Sequence, residues 1–436
     1  MQVFKRPLDG RAAAKMAAGF FVLALLLQLP GNVPYDGIIV WYEAETHTLF
    51  AQHPAALVLI WRLSEMVVRG PALFTALQLA SLWLAVGLLL ARHRPPAWAA
   101  TLFCAVLLVW PPLLATAGVT VKDVFGAHLV LLAFALAAGK NPARWFAAFA
   151  VGTLAFLLRY QFGLILPLLA IAWWPERDRR TAFAGAAGIV VVFVLVNAAV
   201  AALFVKAGPG DVLLSLRKMA IFDIAGTVAH DPSTPLTVFA REHLDTVRLT
   251  REMRAQYSPV RVDTLWQTKD SGTITPTSGV FGRLYYVPDR VVLEQWRRVA
   301  SERPGAFLQH RMAAFARVIG LGDIWRCRPL TPGISTLPRP AVAAVGAQAF
   351  APALSAKIMT SHIFPVSLTF RAVVYLGLLL LVLIVGCRDA RLLAGFALAY
   401  EFSFFLLPQA CEVRYAYPVM LAAIVAGAMA LQRRLI

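Results

Sequence analysis

The residues best equipped for chemistry are strung along the chain rather than gathered in one motif. Asp36, Glu43 and Glu45 follow the first apolar run, with His47 and His53 close behind. Further on come Lys122-Asp123, Arg159-Tyr160, and finally Glu412 with Arg414-Tyr415. A carboxylate beside a substrate hydroxyl can take its proton. Fixed cations can absorb the charge of a departing phosphate. One carboxylate plus a cationic pocket is therefore the minimal equipment for an inverting displacement, with Asp36 as the best placed acid and Lys122, Arg159 and Arg414 as the cations. A retaining double displacement needs a carboxylate nucleophile against the reacting carbon, and nothing in the sequence demands one. Each residue also has a plainer use. Lys122 and Asp123 can cap a helix that starts at Val124, Arg159 can snorkel to an interface, and Arg414 can anchor the end of a span. What separates these readings is whether the residues share a side, so the elements carrying them come next.

Of 436 residues, 59% are hydrophobic and only 15% charged, with a mean hydropathy of +0.69. A soluble domain has about 25% charged residues, so the chain reads as a polytopic, all-α membrane protein. The net charge of +18 is a topology marker of such proteins and brings no nucleic-acid motif with it. Ten apolar runs qualify as spans: 12–29, 71–91, 97–115, 124–139, 145–159, 161–174, 182–205, 367–387, 391–408 and 413–431. The first lacks a small-residue cleavage site and reads as a retained span. With a cytoplasmic N-terminus, the inside segments carry 15 Lys and Arg, from Lys5 through Arg434, and the rule that inside loops are basic holds throughout. Both termini then lie in the cytoplasm, and every chemically equipped residue named above falls on the outer face. The chain divides into a transmembrane module 1–205 with a first outer loop at 30–70, a mixed extracytoplasmic domain 206–361, and C-terminal transmembrane helices 362–436.

Within the first outer loop, 55–68 reads as a helix lying at the interface. In the outer domain, Leu236–Gln256 and Val291–Ile319 read as helices around a Thr/Ser/Gly/Pro stretch at 271–280. Outer aromatic residues (Trp41, Tyr42, Trp266, Tyr285, Tyr286, Trp296, Trp325) can stack on the ring faces of a substrate, although such residues populate membrane interfaces by default. The cysteines form no metal spacing. Cys327 and Cys411 share the oxidising side and could pair, but the sequence supplies no distance and two free thiols are the expectation.

Pro34-Tyr35-Asp36-Gly37, Trp41-Tyr42-Glu43-Ala44, His53-Pro54, Val121-Lys122-Asp123-Val124, Leu158-Arg159-Tyr160, Trp296–Arg311 and Val413-Arg414-Tyr415 recur in an order and sidedness that resemble the GT-C superfamily of integral-membrane glycosyltransferases, of the family-39-like kind. The resemblance implies transfer of a sugar from a polyprenyl-phosphate donor to a lipid, glycan or protein acceptor on the outer face of the plasma (inner) membrane. It makes Asp36 the catalytic acid and Glu43, His53, Lys122, Asp123, Arg159, Tyr160 and Arg414 the substrate-binding residues. Many members carry Asp-Glu or Glu-x-Asp where this chain has Asp36-Gly37. The exact base and any divalent cation are therefore left open by the sequence. No nucleotide-binding loop, zinc motif or nucleophile elbow is present. A transporter or flippase would show paired inverted repeats, which the sequence lacks; a glycan polymerase or ligase is the third class.

Overall fold

The computed structural model describes residues 7–49, 53–137, 141–173, 179–203, 214–265, 279–284, 286–328, 330–331, 333–360, 368–407 and 410–435. Among them all regular structure is helical and no strand occurs. The first module holds α1 (Gly10–Gln28), α2 (Tyr35–Thr46), α3 (Ala55–Glu65), α4 (Ala72–His93), α5 (Ala97–Val109), α6 (Pro111–Thr116), α7 (Lys122–Ala137), α8 (Pro142–Leu158), α9 (Ile165–Trp173) and α10 (Arg179–Leu203). Then follow α11 (Leu214–His230), α12 (Thr237–Arg241), α13 (Thr246–Gln256), α14 (Gly279–Leu284), α15 (Asp289–Glu302), α16 (Pro304–Val318), α17 (Arg339–Val345) and α18 (Leu354–Thr360). The chain closes with α19 (Ala372–Val385), α20 (Arg388–Leu406) and α21 (Val413–Leu435).

Among the described residues each of the ten apolar runs is largely helical, but not each is one long helix. Three helices have the length and apolarity to cross a bilayer: α1, α4 and Val413–Gln432 within α21. Others are apolar but shorter, among them α5, α8 and α19. The expected span 97–115 is broken at Pro111-Pro112, because proline lacks an N–H and opens a new helix at its first positions. At the other end of the next pair, Arg159 adopts extended backbone and stops α8, and a short 3-10 turn, Tyr160–Leu164, leads into α9.

Local rules account for three further departures from the sequence reading. The first outer loop is not irregular: Tyr35–Thr46 is helical, with Asp36 in the favourable first turn and Ile38–Trp41 buried. The expected helix Leu236–Gln256 is two helices, since the Asp245 side chain accepts from Arg248 N at 2.9 Å and starts α13 afresh. Val291–Ile319 divides likewise at Arg303-Pro304. The stretch 271–280 lies outside the described residues apart from Gly279 and Val280.

Helix α7 is buried along nearly its whole length, as its all-round apolar sequence requires, and packs against α4, α8 and α21. His128 joins three of these helices, with Nδ1 against Gln78 O at 2.9 Å and Nε2 against Tyr417 OH at 2.6 Å. Asn32 and Val33 stitch the start of α2 into place. Asn32 N donates to Gly118 O and Thr120 N to Asn32 O, while Val33 exchanges bonds with Gly333 and Ser335. The entrance of α2 thus lies beside the entrance of α7.

Two apolar cores result. One spans the helices of the first and last modules and takes in Ile324, Cys327, Ala341, Val342, Val345 and Met359. The other lies within residues 220–314, among α11 to α16. The two meet at a buried charge node on α11. Asp223 accepts from Trp296 Nε1 at 2.7 Å, His310 Nε2 lies 3.0 Å from it, and Arg311 Nη2 lies 2.5 Å from it. Arg311 also donates to the Phe405 and Leu406 carbonyls at the end of α20. Removing one partner of a buried pair leaves an uncompensated charge and costs about 3–5 kcal/mol. Asp223→Ala is expected to lose stability on that scale in chemical denaturation of the detergent-solubilised protein. Superimposable denaturation curves for variant and parent would remove this node from the foundations of the fold.

Candidate active site

Four chain segments meet at one end of the bundle. Helix α2 brings Asp36 in its first turn, and α7 brings Lys122 and Asp123 in its own. The extended break after α8 brings Arg159, and the start of α21 brings Arg414, with Glu412 just before it. These residues are 378 positions apart at the extremes, yet Arg414 Nη2 lies 2.5 Å from Asp36 Oδ2. Arg414 Nε pairs with Glu412 and lies 3.9 Å from Asp123 Oδ2. Arg159 pairs with the other oxygen of Asp123 and donates through Nε to Gln161 Oε1 at 2.6 Å. Its guanidinium lies over the rings of Tyr415 at 4.5 Å and Phe404 at 5.0 Å, a desolvated cation–π arrangement.

The two aspartates differ in access. The Asp123 side chain is 1% exposed, whereas that of Asp36 is 44% exposed although protein surrounds it at longer range. Burial opposes ionisation of Asp36, but the charge and hydrogen bond of Arg414, with the charge of Lys122 behind them, hold its carboxyl well below the usual range. Glu43, fully buried on the same helix, meets His53 Nδ1 at 2.8 Å. Of the eight residues singled out from sequence, seven therefore converge directly or within electrostatic reach of one another. Tyr160 stands apart: it is 75% exposed, and among the described residues no hydrogen bond or ion pair joins its side chain to the cluster.

Several participants had no sequence signal. Lys218 on α11 faces the cluster from the outer segment. Burial pushes its ammonium down to about 8, with Asp263 and Asp36 opposing and Lys122 reinforcing the fall. Glu401, the acid inside the apolar run of α20, is fully buried within electrostatic reach of Arg159, and neither carboxylate oxygen is hydrogen-bonded among the described residues. The loop before α21 is strapped down as well. Against expectation, Cys327 and Cys411 form a disulfide, with Cα atoms 4.9 Å apart. Cys411 N donates to Val260 O at 2.7 Å, and Arg328 lies 3.8 Å from Glu412.

The aromatic candidates scatter. Trp41 is core, packed on Trp61 and Phe350, and Trp296 serves Asp223. Tyr286 and Trp325 are exposed, while Trp266 and Tyr285 lie outside the described residues. For a divalent cation the donor set is a poor fit. Asp36, Asp123 and Glu412 each face an arginine, and no group of three His, Cys, Asp or Glu side chains suited to a metal occurs among the described residues. What the arrangement can do is present one accessible carboxylate and several fixed cations to a substrate. No family model, curated protein or solved structure matches the chain.

The ion pair at Asp36 has a definite pH signature. A carboxylate whose folded value is depressed gives its full stabilisation above the unfolded value, about 3.9, and loses it as pH falls through the folded one. The stability difference between wild type and Asp36→Asn is expected to stay constant from pH 7 to about 5 and to shrink only below about 4. A difference that fades between pH 7 and 5 in denaturant titrations would mean that Arg414 does not hold Asp36 in this way.

Proposed function

We propose that the chain is a GT-C-like integral-membrane glycosyltransferase that moves a sugar from a polyprenyl-phosphate donor to a hydroxyl acceptor, with inversion, on the extracytoplasmic face. The observation that carries the reading is the Asp36–Arg414 pair, a solvent-accessible carboxylate beside Arg159 and Lys122 at one end of an apolar bundle. A phosphate is already a good leaving group, so the chief demand is charge absorption as the C–O bond breaks. Arg159 and Arg414 offer planar donors fixed by their carboxylate partners, and such forks suit phosphate oxygens. Lys122 adds a third cation. Asp36 receives the acceptor hydroxyl. Tyr160, exposed beside Arg159, has no role in this scheme.

Ten spans with both termini cytoplasmic remain the topology that fits the basic segments, and the Cys327–Cys411 disulfide supports an oxidising location for the loop before α21. The lateral exposure of Leu23, Leu26, Leu84 and Ile384 suits contact with lipid. The donor's polyprenyl chain would reach the site through that same lipid phase.

Replacing Asp36 by Asn is nearly isosteric, and Glu412 keeps Arg414 paired. Transfer from a panel of polyprenyl-phosphate sugars by the purified enzyme should fall by about 10²-fold or more, with insertion and folding retained. Arg159→Gln should raise the donor concentration needed, because a phosphate contact is lost. Wild-type turnover in Asp36→Asn would take Asp36 out of the mechanism. Solute or lipid movement in vesicles, without transfer from any donor, would favour a transporter.

The topology has its own test. A reporter fused after Gly210 should be active only where the extracytoplasmic side is read out, and cytoplasmic activity there would move the whole site to the other face.

A further inference from the structure

The sugar-transfer reading leaves open where the acceptor's proton goes. Asp36 is poorly suited to keep it. Arg414 sits 2.5 Å from one of its oxygens, and a carboxylate so held binds a proton weakly at neutral pH. Efficient proton transfer favours a group that titrates near the working pH, and the imidazole is the side chain with that property.

One imidazole is built into the edge of the site. Glu43 lies seven residues after Asp36 on α2, two helical turns along the same face and about 10 Å away by helix rise. Its carboxylate, fully buried, meets His53 Nδ1 at 2.8 Å. The His53 side chain is 9% exposed and lies within electrostatic reach of Asp36. No other hydrogen bond reaches the ring among the described residues. An acidic partner on Nδ1 fixes the tautomer that carries its proton there and leaves the Nε2 lone pair bare.

We propose that His53 is the general base of the site and Glu43 its positioning residue. This rests on the glycosyltransferase reading above. As the acceptor oxygen forms its bond to the anomeric carbon, its proton passes to His53 Nε2. The bond between that carbon and the phosphate oxygen breaks, and its electron pair leaves with the phosphate toward Arg159, Arg414 and Lys122. The attacking hydroxyl donates to His53 Nε2, while Asp36 accepts from a neighbouring hydroxyl of the acceptor and so orients it. The imidazolium, neutralised by Glu43, gives its proton to water after the products depart. The charged groups around His53 are Glu43 in contact, Asp36 on the same face of α2, and Lys122, which acts on both carboxylates. Arg62 on α3 faces His47 instead, and Glu45 turns to Glu65.

The test is a pH profile of kcat/KM on the full-length protein in nanodiscs, with a polyprenyl-phosphate sugar as donor. Wild type should show an ascending limb that belongs to an imidazole. His53→Gln should lose about 10²–10⁴-fold together with that limb, and added imidazole should restore part of the rate in His53→Ala. Glu43→Gln should lose less, because the imidazole remains but its orientation is no longer held by a carboxylate. A profile with no limb above the carboxylate range, or an unchanged limb in His53→Gln, overturns the proposal and returns the proton to Asp36. A merely structural histidine would fail to respond to imidazole. Nitrogen-15 NMR of labelled histidine gives a readout that needs no turnover: the signal lost in His53→Gln should report a proton on Nδ1 and a bare Nε2. The opposite tautomer overturns the dyad. Absence of transfer by wild type from every donor, with the expected tautomer present, instead counts against the glycosyltransferase reading itself.

Discussion

A single buried carboxylate, Asp123, sets the geometry on which the rest of the site depends. It lies in the first turn of the most deeply buried helix, α7, where an unpaired charge is not tolerated. Two guanidiniums come to it from later in the chain, Arg159 from the break after α8 and Arg414, 3.9 Å away, from the start of α21. Because each arginine sits at a helix end, satisfying Asp123 also fixes where those helices begin and stop. Arg159 must leave helical backbone to reach it, which is why α8 ends in an extended residue and a 3-10 turn rather than running on.

Around that centre, the backbone does the positioning that side chains alone could not. Asn32 and Val33 hydrogen-bond on one side to residues 118–120 and on the other to 333–335, locking the entrance of α2 to that of α7. The loop carrying Glu412 is held by the Cys327–Cys411 disulfide and by the Cys411–Val260 bond. Arg311 closes the end of α20 while anchoring to Asp223. The entrances of α2 and α7 and the loop before α21 are each tied down within a few residues of the charged group they carry.

How much of this could be read in advance depends on the kind of signal. Apolar runs are long and redundant, so all ten emerged as helices, and charge placed at their ends named Asp36, Lys122, Asp123, Arg159 and Arg414 correctly as neighbours. The breaks were less legible although their cause was written out. Pro111-Pro112 and Arg303-Pro304 split helices that hydrophobicity alone joins, and Asp245 restarts one by capping it. Tyr35–Thr46 looked like a loop because its polar residues are frequent, yet Gly37–Trp41 supply a buried face. Lys218, Glu401 and the disulfide depend on distances between remote segments, which no local pattern encodes. Tyr160, next to Arg159 in sequence, stands 75% exposed after the change of backbone at Arg159.

Arg414 is shared unequally by two aspartates, and the inequality separates stability from chemistry. Asp123 is sealed from water and pays a desolvation penalty that only its pairing offsets, so losing a partner there costs about 3–5 kcal/mol. Asp36 keeps much of its surface in water, where an ion pair contributes roughly 0–1 kcal/mol. Its carboxylate can therefore exchange partners with an incoming hydroxyl at little cost, while the arginine that holds it stays fixed by Glu412 and Asp123. A site needs both kinds of pair. The buried one keeps the cations from wandering when substrate arrives, and the open one yields. In the proposal above, Asp36 stays tied to Arg414 and the proton passes to His53, which Glu43 holds at 2.8 Å.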